Sequence, residues 1–349
     1  MTLLYFILML GIIVFIHELG HFLWAKKFGV YCYEFSLGFG PKLFSFRRKN
    51  KKDETLYCIR LIPVGGYVAM AGEEADDDKS VPKEKKLYNK TWYQKLIIVL
   101  AGVTHNFILG FVVLLLSALI YGSYETRPII GTLAYDSASK EAGVEIGDRV
   151  TEINGKKMLT WDDVTLTLTL ANNEKYQDIV LVDKNGNEKT LRIKPKKIKD
   201  KDGNVSYAYG MGLSETKNYG VISSIKYACV KFGALFKTMF VTVKSLFTGK
   251  VSINALSGPV GIYSIVGQQR KAGMFGLMYL LAYLSINVGF INLLPFPAFD
   301  GYRAVITIIE KITKKKVNQK VDGIVNTVGL ILLFVLMGYI TIKDILKLF

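Results

Sequence analysis

Four long apolar runs divide the chain, at about residues 2–24, 94–121, 274–294 and 324–342. Each approaches the ~20 residues that carry an α-helix across a ~30 Å hydrocarbon core. The stretches between them are rich in Lys, Asp and Gly. The pattern therefore predicts an α-helical polytopic membrane protein of four transmembrane helices with one sizeable soluble insert. After the first run, "FSLGFGPKLFSF" and "TLYCIRLIPVGGYVAM" alternate aromatic and small residues, punctuated by Gly38, Gly40, Gly65 and Gly66. These are hairpin signals over about 31–72. They are too apolar for an ordinary loop, which predicts membrane-associated β elements whose backbone is satisfied by protein or water. Residues 73–90 are charged and read as a mobile loop.

The insert, about 126–214, contains "RPIIGTLAYDSASKEAGVEIGDRVTEINGKKM". This reads as a short strand, a short helix, a turn, the strand "RVTEI" and an Asn154-Gly155 turn. At under 100 residues, the insert is a compact α/β module. Residues 222–248 read as a helix. At 100° per residue Lys226, Lys237 and Lys244 share one face, which predicts a helix lying at the membrane surface. "LSGPVGIYSIVGQ", 256–268, reads as a Gly-rich loop that completes a segment 222–270. In "NVGFINLLPFPAFDGYR" the prolines 295 and 297 must break the third apolar helix.

Charge adds orientation. The 349 residues carry a formal net charge of +16, unevenly spread. Lys26, Lys27, Lys42, Arg47, Arg48, Lys49, Lys51, Lys52, Lys83, Lys85 and Lys86 fall in one inter-span segment, and Arg303, Lys311, Lys314, Lys315, Lys316 and Lys320 in another. Both are cytoplasmic by the positive-inside rule. The N-terminus, the insert and the C-terminus are then extracytoplasmic. Topology and anionic membrane lipid account for the basic excess, so nucleic acid is not implied. Cys32, Cys58 and Cys229 are odd in number and widely spaced, and suggest neither disulfides nor a thiolate metal site. The first apolar run lacks a basic leader and a cleavage site, and reads as a mature helix.

The first run also carries the chemistry. In "IIVFIHELGHFLW", His17 and His21 stand at i and i+4, so both imidazoles project from one helix face. That spacing suits two neutral nitrogens on one Zn²⁺, with Glu18 beside them as a general base. The chain has only three histidines. The plainer reading, a hydrogen-bonded pair of core histidines, leaves Glu18 unpaired in lipid at a cost of several kcal/mol. A catalytic zinc needs a third protein ligand and an open position. His105 and Asp300 are the candidates inside apolar sequence, and spacing alone puts Asp300 only slightly ahead. Asp300 otherwise caps the next helix, and His105 is otherwise an interior hydrogen-bonded histidine. Gly102 and Asn106, four apart on the second helix, permit close packing with a polar contact.

Several separate motifs resemble the site-2 protease family of intramembrane zinc metalloproteases, of the bacterial RseP type. "HELGH" matches its HExxH, and "FSLGFGP" and "VGGYVAM" resemble its membrane-dipping β elements. "LSGPVGI" resembles its S-G-P-[IV]-G loop, and "NLLPFPAFDG" its N-x-x-P-x-P-x-L-D-G motif. The resemblance spans almost the whole chain. It implies His17, His21 and Asp300 as zinc ligands and Glu18 as the base. It also implies that Asn292 and the Pro295, Pro297 turn hold an unwound substrate, with Gly66, Tyr67 and Val68 offering a strand to pair with it. The insert resembles a single PDZ domain. On this reading the protein lies in a bacterial cytoplasmic (inner) membrane, with residues 1–121 and 274–349 forming the protease core. It cuts transmembrane segments of single-span membrane proteins, such as anti-sigma factors, or signal peptide remnants, after a site-1 protease has acted. The chain departs from the family pattern in three places. Tyr302 replaces the glycine after Asp-Gly, Phe299 replaces the leucine before it, and "AGVTHN" lacks a proline and sets His105 beside Asn106, which makes both residues candidates for hydrogen bonds that orient the metal ligands. Two other readings fit the residues: a membrane HExxH protease with a downstream Glu as third ligand, and a non-catalytic membrane scaffold presenting a PDZ-like domain.

Overall fold

The computed structural model describes residues 1–48, 53–73, 78–171, 175–199, 205–252 and 256–346. The chain opens with α1 (Thr2–Lys27), β1 (Cys32–Arg47), β2 (Leu56–Met70) and α2 (Trp92–Tyr121). Then come β3 (Ser123–Tyr124), β4 (Ile130–Leu133), α3 (Ala138–Glu141), β5 (Arg149–Ile153), β6 (Lys156–Lys157) and α4 (Trp161–Thr169). They are followed by β7 (Gln177–Val182), β8 (Glu188–Ile193), β9 (Lys196–Lys199), β10 (Val205–Ala208), β11 (Met211–Leu213) and β12 (Lys217–Asn218). The helices α5 (Val221–Phe247), α6 (Pro259–Lys271), α7 (Gly273–Leu293), α8 (Asp300–Thr313) and α9 (Gln319–Leu346) complete it. The chain forms two compact units, Met1–Val113 with Asn254–Phe349, and Leu114–Ile253.

The helices α1, α2, α7 and α9 are each long and apolar enough to cross a membrane. This is a polytopic membrane protein. The first and fourth of these helices extend beyond the apolar runs, to Lys27 and from Gln319, because helix hydrogen bonding continues into the polar flanks. α2 and α7 are tied where the Ser285 hydroxyl, fully buried, donates to the Asn106 carbonyl at 2.8 Å.

β1 and β2 are long strands bent at glycines. Gly38, Gly40 and Gly65 have φ of 92°, 81° and 132°, a region open to glycine and resisted by other residues. The bends let the first half of β1 lie between the two halves of β2, so that Phe35 pairs with Tyr57 on one side and Val68 on the other. The second half of β1 folds back on the first half of β2, with Phe46 opposite Tyr57. The result is an antiparallel sheet four segments wide, with residues 66–70 along one edge. Of the segment read as a mobile loop, 74–77 lie outside the described residues. Residues 85–87 are tied to the chain beside the sheet: Leu87 is buried, its N–H donates to the Ala71 carbonyl at 2.7 Å, and the Lys85 carbonyl accepts from Tyr31 N–H at 2.9 Å.

In the second unit β6, β5, β7 and β8 form a four-stranded antiparallel sheet over a core that includes Ile130, Val150, Ile153, Val164, Ile179 and Leu181. Asn154 and Gly155, with φ of 49° and 77°, make the tight turn between β5 and β6. β4 pairs with β11 rather than with a strand near it in sequence. α4 starts in a capping box of Thr160 and Asp163. The lysines of α5 do not all face a lipid surface. Lys237 is paired with Asp163 and Lys231 with Asp162 at 2.7 Å, so carboxylates on α4 take the place expected for headgroups.

The segment read as a Gly-rich loop is helical from Pro259. The correction has a physical cause that the local sequence does not contain. The Asp344 carboxylate, on α9, accepts the N–H groups of Gly258 at 2.7 Å and Gly261 at 3.0 Å, supplying an N-terminal cap from another helix. Pro259 occupies the first helical position, where its missing N–H costs nothing. Asp344→Ala strands those two N–H groups away from water. It should destabilise the unit by about 1–3 kcal/mol, read as a lowered midpoint of unfolding in detergent.

Candidate metal centre and active site

α1 supplies two donors and the turn into α8 supplies the third. His17 Nε2 and His21 Nε2 lie 3.3 Å apart. Asp300 Oδ2 lies 3.2 Å from the former and 3.3 Å from the latter. Donors about 2.0 Å from a tetrahedral ion are themselves about 3.3 Å apart, so the three atoms fit zinc. Asp300 Oδ2 is buried and has no hydrogen-bond partner. A buried carboxylate oxygen left in that condition is costly unless a cation completes it. Among the described residues, His17, His21 and Asp300 are the group whose donor atoms converge in this way.

Each ring is also held from behind. His21 Nδ1–H donates to the Ile98 carbonyl at 2.8 Å, which leaves the Nε2 lone pair facing Asp300. His17 Nδ1 lies 3.2 Å from the side-chain amide of Asn106, which is fully buried and whose Oδ1 has no partner. α2 passes directly over the rings because residue 102 is glycine: a Cβ there would sit 2.3 Å from His21 Nε2. Gly301 does the same for the aspartate, since a Cβ would meet the Leu293 carbonyl oxygen at 2.1 Å as the chain doubles back over the end of α7. The prolines at 295 and 297 end α7, and Ala298 turns the chain with φ of 77°.

His105 does not join the triad. Its Nδ1–H donates to the Ala101 carbonyl at 2.8 Å, one turn back on its own helix.

His17, Glu18, His21 and Asp300 open onto a cavity of about 380 Å³. Gly66, Tyr67 and Val68 form part of its wall and Asn292 another part, whereas Pro295 and Pro297 do not line it. Glu18 lies against the strand, its Cγ 3.3 Å from where a Gly66 Cβ would be. The outer edge of β2 at residues 66–68 pairs with no other strand among the described residues. Sequence reasoning missed an ion pair between Arg303 and Glu73, both on the cavity wall. The available signal was the spacing of Arg303 from Asp300, three residues along one helix face.

The wall strand is held by a charged cluster. The Glu34 carboxylate accepts from the Tyr67 hydroxyl at 2.7 Å and from Arg60 at 2.6 Å, and pairs with Lys42 at 3.2 Å. Burial opposes ionisation of Glu34, but these hydrogen bonds outweigh it and hold the carboxyl at about 2.

Two imidazoles and a carboxylate converging beside a glutamate, with one helix of a polytopic membrane protein carrying both histidines, fit a zinc metalloprotease of the site-2 type. Residues 5–336 match the family model described as Peptidase family M50. The chain is 32% identical over 425 aligned positions to the zinc metalloprotease RasP of Bacillus licheniformis, covering 100% of this chain and 99% of that protein. It is 32% identical over 427 positions to the regulator of sigma-W protease RasP of Bacillus subtilis, with 100% and 99% covered. A RasP of Geobacillus kaustophilus gives 32% over 419 positions, with 99% and 97% covered. The chain belongs to peptidase family M50, and its metal is Zn²⁺.

The depressed Glu34 value sets a pH dependence. Its folded value lies below the ordinary 4.5, so its contribution is complete above that pH and is lost as pH falls toward 2. Glu34→Gln should speed amide hydrogen exchange at residues 66–68 at pH 7, and its difference from the parent protein should shrink as the pH drops below 4.5.

Proposed function

We propose that His17, His21 and Asp300 are the zinc ligands, that Glu18 is the general base, and that the substrate is an unwound transmembrane segment of a single-span membrane protein. The observation that carries this reading is the convergence of three donor atoms at 3.2–3.3 Å beside Glu18, with Asp300 Oδ2 buried and otherwise unpartnered. Bound there, zinc supplies Lewis acidity toward the scissile carbonyl and the attacking water. Glu18 takes the proton from that water and passes it to the leaving amide nitrogen. A helical substrate hides its peptide bonds, so a stretch of it must be extended. The open edge at Gly66, Tyr67 and Val68 accepts that stretch by strand addition, and Asn292, which lines the same cavity, helps to hold it. Pro295 and Pro297 act behind the wall, by shaping the turn.

Asn106 sets the tautomer of His17. With its amide oxygen toward Nδ1, it accepts the ring N–H, leaves the Nε2 lone pair for zinc, and gives its own orphaned Oδ1 a partner. His105 has no part in binding the metal.

The second unit is PDZ-like and extracytoplasmic, with both chain termini on the same side. The concentration of lysine and arginine in the two other inter-span segments supports that orientation. It screens substrates already shortened by a site-1 protease. Among substrate classes, the sigma-regulating role named for the Bacillus subtilis relative favours membrane-anchored anti-sigma factors over signal peptide remnants.

Glu18→Gln should retain one zinc per chain while cleavage of a tagged single-span substrate falls by about 10²–10⁴-fold. Asp300→Asn should lose zinc on dialysis. Full cleavage by Glu18→Gln sinks the mechanism, and stoichiometric zinc in Asp300→Asn sinks the ligand set in favour of a distant glutamate. Asn106→Ala should weaken zinc about 10–100-fold in chelator competition; unchanged affinity removes it from the site.

A further inference from the structure

α9 meets the turn that carries Asp300 through one face. Asp322, Asn326 and Gly329 stand at i, i+4 and i+7 of this helix, and each has a partner in the turn. Asn326 Oδ1 accepts the Ala298 N–H at 3.1 Å. Asp322 Oδ1 accepts the Tyr302 hydroxyl at 2.9 Å. A Cβ on Gly329 would lie 2.5 Å from Pro297 Cβ, so the helix backbone rides directly on the proline. The neighbouring Val321, Ile324, Val328 and Ile331 are all at least half exposed and turn toward lipid.

A polar side chain such as Asn326 inside an apolar span is costly unless it is used. What Asn326 holds is itself strained. Ala298 has φ of 77°, a left-handed conformation that alanine resists. Ala298 lies two residues before Asp300, and Tyr302 two residues after it. The two polar contacts from α9 therefore bracket the carboxylate on both sides. Neither Asn326 nor Asp322 lines the catalytic cavity.

We propose that Asn326 and Asp322 are positioning residues for the metal centre. From α9 they fix the backbone at Ala298 and the ring of Tyr302, so that Asp300 between them stays on the two histidines. The inference rests on the reading of Asp300 as the third zinc ligand.

The test uses the full chain in detergent micelles or nanodiscs, with zinc affinity measured by chelator competition and the visible absorption of the cobalt-loaded protein as a second readout. Asn326→Ala should weaken zinc about 10–100-fold and change the cobalt spectrum, because the aspartate no longer sits where it did. Ala298→Gly added to that variant should restore most of the affinity and the parent spectrum, since glycine takes the left-handed backbone without needing to be held. A general loss of packing at residue 326 would not be repaired at residue 298. Parent-like affinity and spectrum in Asn326→Ala overturn the proposal, as does a loss that Ala298→Gly leaves in place. Asp300→Asn, run alongside, separates the two levels: if it keeps parent zinc affinity, the ligand assignment fails first and takes the positioning role with it.

Discussion

The structure depends on bringing a carboxylate to two imidazoles that are nearly 280 residues away in sequence, inside an apolar surrounding where an unpaired charge is not tolerated. Helix geometry brings the two histidines together without further help, because i and i+4 share a face. The third donor has no such local route. It arrives by breaking α7 at a pair of prolines, returning the chain over its own helix end at Gly301, and starting α8 on Asp300 itself. The absence of a side chain at residue 102 then lets α2 close over the rings. Each of these features makes little sense for a bundle that only had to pack.

A second constraint follows from the first. Chain that is neither helix nor sheet carries backbone N–H groups that lipid cannot satisfy. The protein answers this in the same way twice, from opposite ends of α9. Asn326 near its start takes the Ala298 N–H, and Asp344 near its end takes the N–H groups of Gly258 and Gly261. The sheet of β1 and β2 answers it by folding back on itself, so that most of its edges are internal. Among the described residues the two outer edges stay unpaired, at 42–47 and at 66–68, and residues 66–68 line the cavity. An open edge is a liability in most proteins, and the one at 66–68 stands beside Glu18, where its backbone groups suit the strand addition proposed above.

How much of this was legible depended on whether the cause was local. The spans and the pair on α1 follow from periodicity within a few turns, so the bare sequence carries them. The third ligand did not resolve from spacing, because His105 and Asp300 both lie in apolar stretches. What separates them is the direction of a ring: His105 is turned onto the Ala101 carbonyl, a choice made by packing against α1. The helix at Pro259 was misread as loop because its cap lies on a strand of sequence more than 80 residues away. The lysines of α5 share a face by arithmetic, but which face meets carboxylates depends on where α4 stands, and Lys237 shows that arithmetic alone misplaces it. Asn326 gave no signal, since one asparagine in a long apolar helix is unremarkable until the strained residue opposite it is known.

Tyr302 brings these threads together. In the motif the sequence resembles, this position is a second glycine, and a pair of glycines after the aspartate would leave the start of α8 pliable. Here only the first glycine is required by space, since it is Gly301 that lies against the Leu293 carbonyl. Residue 302 begins the part of the helix that faces α9, and a tyrosine there can reach across to Asp322. The substitution therefore converts a pliable joint into a tether without touching the ligand. It also gives the carboxylate of Asp322 a hydrogen-bond donor, which a glycine could not have done. The tyrosine and the aspartate are thus one feature, and Asp300 lies in sequence between two residues, Ala298 and Tyr302, that each contact α9.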